Sequence, residues 1–322
     1  MSGRPGTADR ADVHTALPWR RLARAELRRL LAPRALRLSA AALPLLVLAF
    51  GLAKLFTHDN DTAAARRAAD EEYRDFLATA ARTGLNAGGV SRDNFFHDPR
   101  YLMDTLSFGD LRTVVTALAA AAVVLGIYSG GADWSSRVML TLAAAEPRRG
   151  RLFATRGLLV TGLAMGATAA SGLLLIPLLL LAARVRGSTA GLDAQYWAVL
   201  SSQYARGVVL VGLLALLGYS LAMLTRSMAV ALGVAFLYLA SAGQIFGGRG
   251  PRLAEYDMNG LVFAVLNEKP VVPLADSACF AGPGCEAVHT DLSGVDGFLG
   301  ILLYALPLLA LALWRTTRRD IG

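Results

Sequence analysis

Six runs of apolar residues, at 38–56, 111–129, 157–183, 207–225, 228–246 and 298–314, set the limits on what this chain can fold into. Each approaches the roughly 20 residues a helix needs to cross about 30 Å of hydrocarbon. Their apolar residues are contiguous rather than alternating, so they lack the one-sided pattern of a soluble helix or strand. Inside a bilayer the backbone must satisfy its own hydrogen bonds, which leaves the helix as the form for such runs. The chain, 322 residues and 55% hydrophobic, is expected to be an all-α polytopic membrane protein with six transmembrane helices. The first run follows a 37-residue arm and has no small-residue cleavage site after it, so it is expected to stay as a helix and not act as a cleaved signal.

Charge sets the expected orientation. The arm 1–37 has nine arginines against Asp9, Asp12 and Glu26, whereas 58–110 has ten acids against six arginines. Short loops rich in Arg and Lys stay on the cytoplasmic side. Both termini are therefore expected in the cytoplasm of a multi-pass cell-membrane protein, with two long outer loops at 58–110 and 247–297. The net charge of +8 is then accounted for by topology and contact with lipid headgroups, and no nucleic-acid partner is implied.

Within the arm, 18–32 opens on a proline and stops before Pro33, the pattern of a short helix. Trp19, Leu22, Ala23, Leu27 and Leu30 gather on one side of its wheel and Arg20, Arg21, Arg24 and Arg28 on the other. Such a helix lies in the membrane interface. Glu26 falls inside the apolar stripe, where a carboxylate needs a partner or a route to water. Pairing with Arg137 or Arg156, and snorkelling to the surface, are the two readings. Farther on, 62–83 is predicted as an exposed outer helix, and 258–266 as a short interfacial or re-entrant one. Gly162 and Gly166 make a small-xxx-small pair suited to close helix packing, and 225–227 is a turn short enough to make the flanking spans a hairpin. His58, Asp59, Asp61, His97 and Asp98 fit no standard metal-ligand spacing, so no metal site is expected among them. Cys279 and Cys285, separated by a Gly-Pro-Gly return, read as a local outer disulfide, a free pair being the alternative.

The polar interruption 131–156 has five arginines (Arg137, Arg148, Arg149, Arg151, Arg156) against Asp133 and Glu146. Asp133 is expected to cap a short helix through the apolar run that holds Met139 and Leu140, and Pro147 to end it. A helix, a break and an Arg-rich return would make a cytoplasmic knob suited to docking a partner. The alternative is a solvated loop whose arginines only set topology.

Taken together, the chain resembles the membrane subunit of an ABC-2-type ABC transporter. The likeness rests on an elbow helix with an internal Glu26, six spans, a long first outer loop, the turn at Arg226 and Ser227, and the loop after the second span. In that loop Asp133, Ser136, Leu140 with Leu142, Pro147, Arg148 with Arg149 and Arg151, and Arg156 stand where the family has an acidic residue, a small residue, leucines, a proline and basic residues. Asp replaces the usual Glu, Arg137 a common Thr, and Arg156 a Lys. The resemblance implies that 130–156 is a coupling helix for a separate cytoplasmic ATPase. It also implies that a second permease copy or paralogue completes an export path through the six-helix domain 38–322. The chain has no Gly-x-x-x-x-Gly-Lys-[Ser/Thr] loop, and its two lysines are Lys54 and Lys269, so it is not expected to be an enzyme or to hold a cofactor. ATP and Mg would bind the partner. A non-transporting membrane scaffold or sensor is the competing class, and the apolar spans do not specify a substrate.

Overall fold

The computed structural model describes residues 19–86, 89–135, 149–247, 257–267 and 292–318. Nine α-helices make up nearly all of these: α1 (Trp19–Leu30), α2 (Arg34–Thr57), α3 (Thr62–Thr83), α4 (Met103–Ser135), α5 (Arg149–Arg186), α6 (Ala194–Thr225), α7 (Met228–Gly247), α8 (Met258–Leu266) and α9 (Gly294–Arg318). Two short strands, β1 (Tyr101–Leu102) and β2 (Gly187–Ser188), pair in parallel with Tyr101 opposite Gly187.

Five helical stretches are long and apolar enough to cross a membrane: Leu36–Thr57, Met103–Ala132, Gly150–Arg186, Ala194–Thr225 and Gly294–Arg318. The remaining expected span coincides with α7, of which Met228–Ser241 is a shorter apolar helix. The helices overrun the apolar runs. With 38 residues α5 extends about 57 Å at about 1.5 Å per residue. That is nearly twice the hydrocarbon thickness of about 30 Å. Capping explains one such extension: Asp193 accepts the amide of Tyr196 at 2.7 Å, so α6 starts well before its apolar core at 207. In the same way Asp61 accepts the amide of Ala64 at the start of α3, and Gly84, left-handed at φ 70°, ends it.

Two expectations about 131–156 are corrected. Asp133 does not begin a new helix; its backbone lies within α4, which runs unbroken through Gly130 and Gly131. Those glycines do not break the helix because neighbours hold them: a Cβ on Gly130 would meet the carbonyl oxygen of Tyr219 at 2.8 Å, and one on Gly131 the backbone of Met228 at 2.8 Å. Nor do Arg149, Arg151 and Arg156 lie on a loop; they occupy the first two turns of α5, where Leu152 and Phe153 are buried. Residues 136–148, with Arg137, Met139, Leu140, Pro147 and Arg148, lie outside the described residues, as do Cys279 and Cys285.

The hub is α6, whose most apolar window is 67% buried, against 11% for α2. It packs on α4, α5, α7, α8 and α9, while α2 rests chiefly on α5. Lipid tails are as apolar as leucine, so helices in a bilayer are held together by close packing and polar contacts. The α4–α6 crossing depends on two glycines: a Cβ on Gly126 would lie 2.1 Å from the carbonyl oxygen of Ala215, and one on Gly218 2.4 Å from that of Val123. Gly162 and Gly166, expected to pack closely, have nothing within 4 Å of the point where a Cβ would stand. Their face of α5 makes no close contact within the described residues.

Candidate functional site

At one end of the bundle α1 lies against the start of α5, and the ends of α4, α6 and α9 join them. Leu22 packs with Leu152, Phe153, Tyr219, Met223 and Ala312. This is the basic end. Leu22, Glu26 and Leu30, one helical turn apart, are the buried residues of α1, so the stripe read from the sequence is the face that packs. Trp19 lies beneath the Arg151 guanidinium, 5.7 Å from the ring centre.

Glu26 is 3% exposed, and its carboxylate lies 3.8 Å from Arg29. Arg156 of α5, 7% exposed, is within electrostatic reach of both Glu26 and Tyr219. Tyr219 in turn donates its hydroxyl to the carbonyl of Phe153 at 3.1 Å. A carboxylate, a guanidinium and a phenol from α1, α5 and α6 thus share one enclosed site. Of the two partners expected for Glu26, Arg156 lies within electrostatic reach while the ion pair is with Arg29 of α1 itself, and Arg137 lies outside the described residues. Arg29 was missed, although its spacing of three from Glu26 on a helix was there to be read. Two more arginines fasten helix ends here. Arg315 donates to the carbonyl of Leu224 at 2.6 Å, closing an open acceptor at the end of α6. Arg226, the one non-glycine residue with positive φ among the described residues, stands 4.7 Å over the Trp134 ring.

The opposite end holds a second polar cluster, built from residues far apart in the sequence. Lys54 of α2 reaches Asp110 of α4 at 2.7 Å, and the Tyr101 hydroxyl donates to the other carboxylate oxygen at 2.8 Å. Tyr101 is fully buried, with His58 edge-on to its ring at 5.1 Å. Burial, and then the negative charge of Asp110, raise the Tyr101 hydroxyl above its ordinary titration range. The connection 58–102 is tied to the end of α5: Asn60 donates to the carbonyl of Val185 at 2.9 Å, Arg186 lies 3.4 Å from Asp59, and β1 pairs with β2.

Close by, α8 is fixed at both ends. At its C-terminal end Gln203 donates to the carbonyl of Leu266 at 2.7 Å and Arg112 to the Asn267 side chain at 2.5 Å. At its start Tyr238 of α7 donates to Asp257 at 2.6 Å and receives the amide of Met258 at 3.1 Å. A small cleft lined by Leu111, Arg112, Val115, Gln203, Tyr204 and Leu266 lies beside it. Arg112, Gln203 and Tyr204 there are already hydrogen-bonded within the chain. Among the described residues no three His, Cys, Asp or Glu side chains come together to hold a metal. Asp61 serves as a helix cap and Asp98 is gripped by Arg100 at 2.7 Å. The arrangement joins helices through hydrogen bonds and charge. Compared with known protein-family models, curated proteins and solved structures, the chain matches none.

Proposed function

We propose that the chain is the membrane-spanning permease subunit of an ATP-driven exporter of the ABC-2 type, coupled at its basic end to a separate ATPase. The observation that carries this reading is the joint between α1 and α5. Helices α4 and α5 run past their apolar windows at the basic end and lead into 136–148, while Leu22 of α1 packs on Leu152 and Phe153 at the start of α5. A push on 136–148 would therefore act on long, continuous helices and not on loose loops. Stiff elements with few arrangements are what transmit force between distant sites.

In this reading the basic end is cytoplasmic, and 130–156 is the surface that meets the ATPase. Met139 and Leu140 would anchor the contact, and Arg148, Arg149 and Arg151 would orient it from the rim. Asp133 and Pro147 would frame it. ATP and Mg belong to the partner, and a second copy or paralogue completes the path. We also propose six spans. The chain leaves α6 at the basic end and begins α9 beside α8 at the other, so 228–293 has to travel back. The 20 residues of α7 cover about 30 Å, the thickness of the hydrocarbon.

The test is association. A nucleotide-binding subunit should co-purify with the chain, and cysteines at Met139 or Leu140 should crosslink to it more readily than a cysteine at Ser91. Reversing charge at Arg148 and Arg149 should weaken that association while the protein still inserts and folds. If folded variants leave ATPase binding and ATP-driven transport unchanged, the coupling assignment fails and the scaffold or sensor reading takes its place.

A further inference from the structure

The sequence pattern of α1 has two faces, and Glu26 accounts for one of them only. Leu22, Glu26 and Leu30 are buried against the bundle, whereas Arg20, Arg21, Arg24 and Arg28 are all exposed. At 100° per residue these four fall within about 100° of one another, on the side of the helix opposite the buried stripe. The first turn of α2 adds Arg34 and Arg37, also exposed. Between Trp19 and Thr57 the one acid is Glu26, which is buried and engaged with Arg29. Six exposed guanidinium groups thus line α1 and the first turn of α2, a segment with no exposed carboxylate.

Their place in the fold fixes what can answer that charge. Arg34 precedes and Arg37 lies in the first turn of the candidate span, which begins at Leu36 and includes the exposed Leu38. Trp19 of α1, Trp134 of α4 and Trp314 of α9 stand at the same end of the bundle, and tryptophan collects at the headgroup level of a bilayer. A guanidinium is a planar donor array that matches phosphate in a paired geometry. We infer that the arginine face of α1, continued by Arg34 and Arg37, is a binding surface for the anionic phospholipid headgroups of the adjoining leaflet. Lipid thereby holds α1 from outside while Leu22, packed on Leu152 and Phe153, holds it from inside. This rests on the reading of α1 as an interfacial helix and is independent of any ATPase.

The experiment places the full chain in nanodiscs and reads Trp19 as the sole tryptophan, the other three replaced by phenylalanine. At an equal mole fraction, brominated phosphatidylglycerol should quench Trp19 about two- to threefold more than brominated phosphatidylcholine, because basic residues concentrate anionic lipid near themselves. Raising salt from about 0.05 to 0.5 M should erase the difference. Replacing Arg20, Arg21, Arg24 and Arg28 by glutamine should also erase it, and by lysine should retain most of it. A matching protein keeping Trp314 alone should show a smaller preference. Equal quenching of Trp19 by the two lipids in the arginine-bearing protein would overturn the lipid surface. Absence of quenching by either would overturn the interfacial placement as well. The salt series needs no arginine variant, so a poorly folding glutamine variant does not blunt the test.

Discussion

Glu26 is tolerated in an apolar stripe because Arg29 and Arg156 surround it with positive charge. Replacing it by glutamine removes the negative charge that Arg29 and the buried Arg156 face, and taking away the acid beside a buried base destabilises a fold. Glu26→Gln is thus expected to lower the unfolding temperature of the purified protein, whereas Arg24→Gln, on the exposed face, should leave it nearly unmoved in detergent. Equal unfolding temperatures for the native protein and Glu26→Gln would show that the carboxylate does not matter to the joint. Asp98 offers a pH-dependent counterpart. Its hydrogen bond to Arg100 holds the carboxyl below its ordinary value of 3.8. A depressed acid contributes stability above that ordinary value and loses it as pH falls through the folded one. The ordering of the Asp98–Arg100 turn should persist at neutral pH and weaken only in strong acid, and the Asp98→Asn protein should lack that acid transition by NMR. Glu26 was legible because a helical stripe can be read from spacing alone. The Lys54–Asp110 pair was not, since residues in different helices meet only through tertiary packing, which periodicity does not record. Tyr101 compounds the difficulty: nothing in its neighbourhood marks it as the fully buried residue that holds the acid.

At the scale of helices, hydropathy located the cores and missed the ends. The apolar run beginning at 207 marks the lipid-compatible part of α6, but the start of the helix is set by Asp193, a cap separated from that run by 13 residues of mixed character. Gly130 and Gly131 would weaken an isolated helix, since glycine loses the most conformational freedom on ordering. Contacts with α6 and the start of α7 override that preference, and α4 continues to Ser135. The same contrast separates two pairs of glycines. Gly126→Ala and Gly218→Ala would each push a methyl into a backbone carbonyl, which has no side chain to swing aside, and should destabilise the protein by about 1 to 3 kcal/mol or more. Gly162→Ala and Gly166→Ala meet open space within the chain and should be neutral or stabilising by up to about 1 kcal/mol from helix propensity. Thermal unfolding of the four variants in one detergent tests this ordering. If instead Gly162→Ala is the damaging one, and only in the assembled membrane form, that face of α5 is packed against a partner.

For the whole molecule, the charge pattern and the helix ends bear on topology by separate routes. The positive-inside pattern expects 1–37 and the tail after Trp314 on one side and 58–110 on the other. Independently, Leu22 and Ala312 lie in one apolar cluster, so the two ends of the chain's described part meet at one end of the bundle. Asn60, bonded to Val185, belongs to the far end. An even number of crossings reconciles these placements, and in the six-span proposal α7 is the crossing that the five longer helices leave open. Labelling of intact cells with a membrane-impermeant maleimide checks it, in a protein whose Cys279 and Cys285 are serine. Exposed positions on the far end, Ser91→Cys and Ala190→Cys, should react from outside. Ala25→Cys and Thr317→Cys, exposed at the basic end, should react only after the membrane is opened. Labelling of Ala25→Cys and Thr317→Cys from opposite sides would require an odd number of spans and would remove α7 from the bilayer. Labelling of both from outside would keep the six spans and reverse the orientation, placing 136–148 where no cytoplasmic ATPase could reach it.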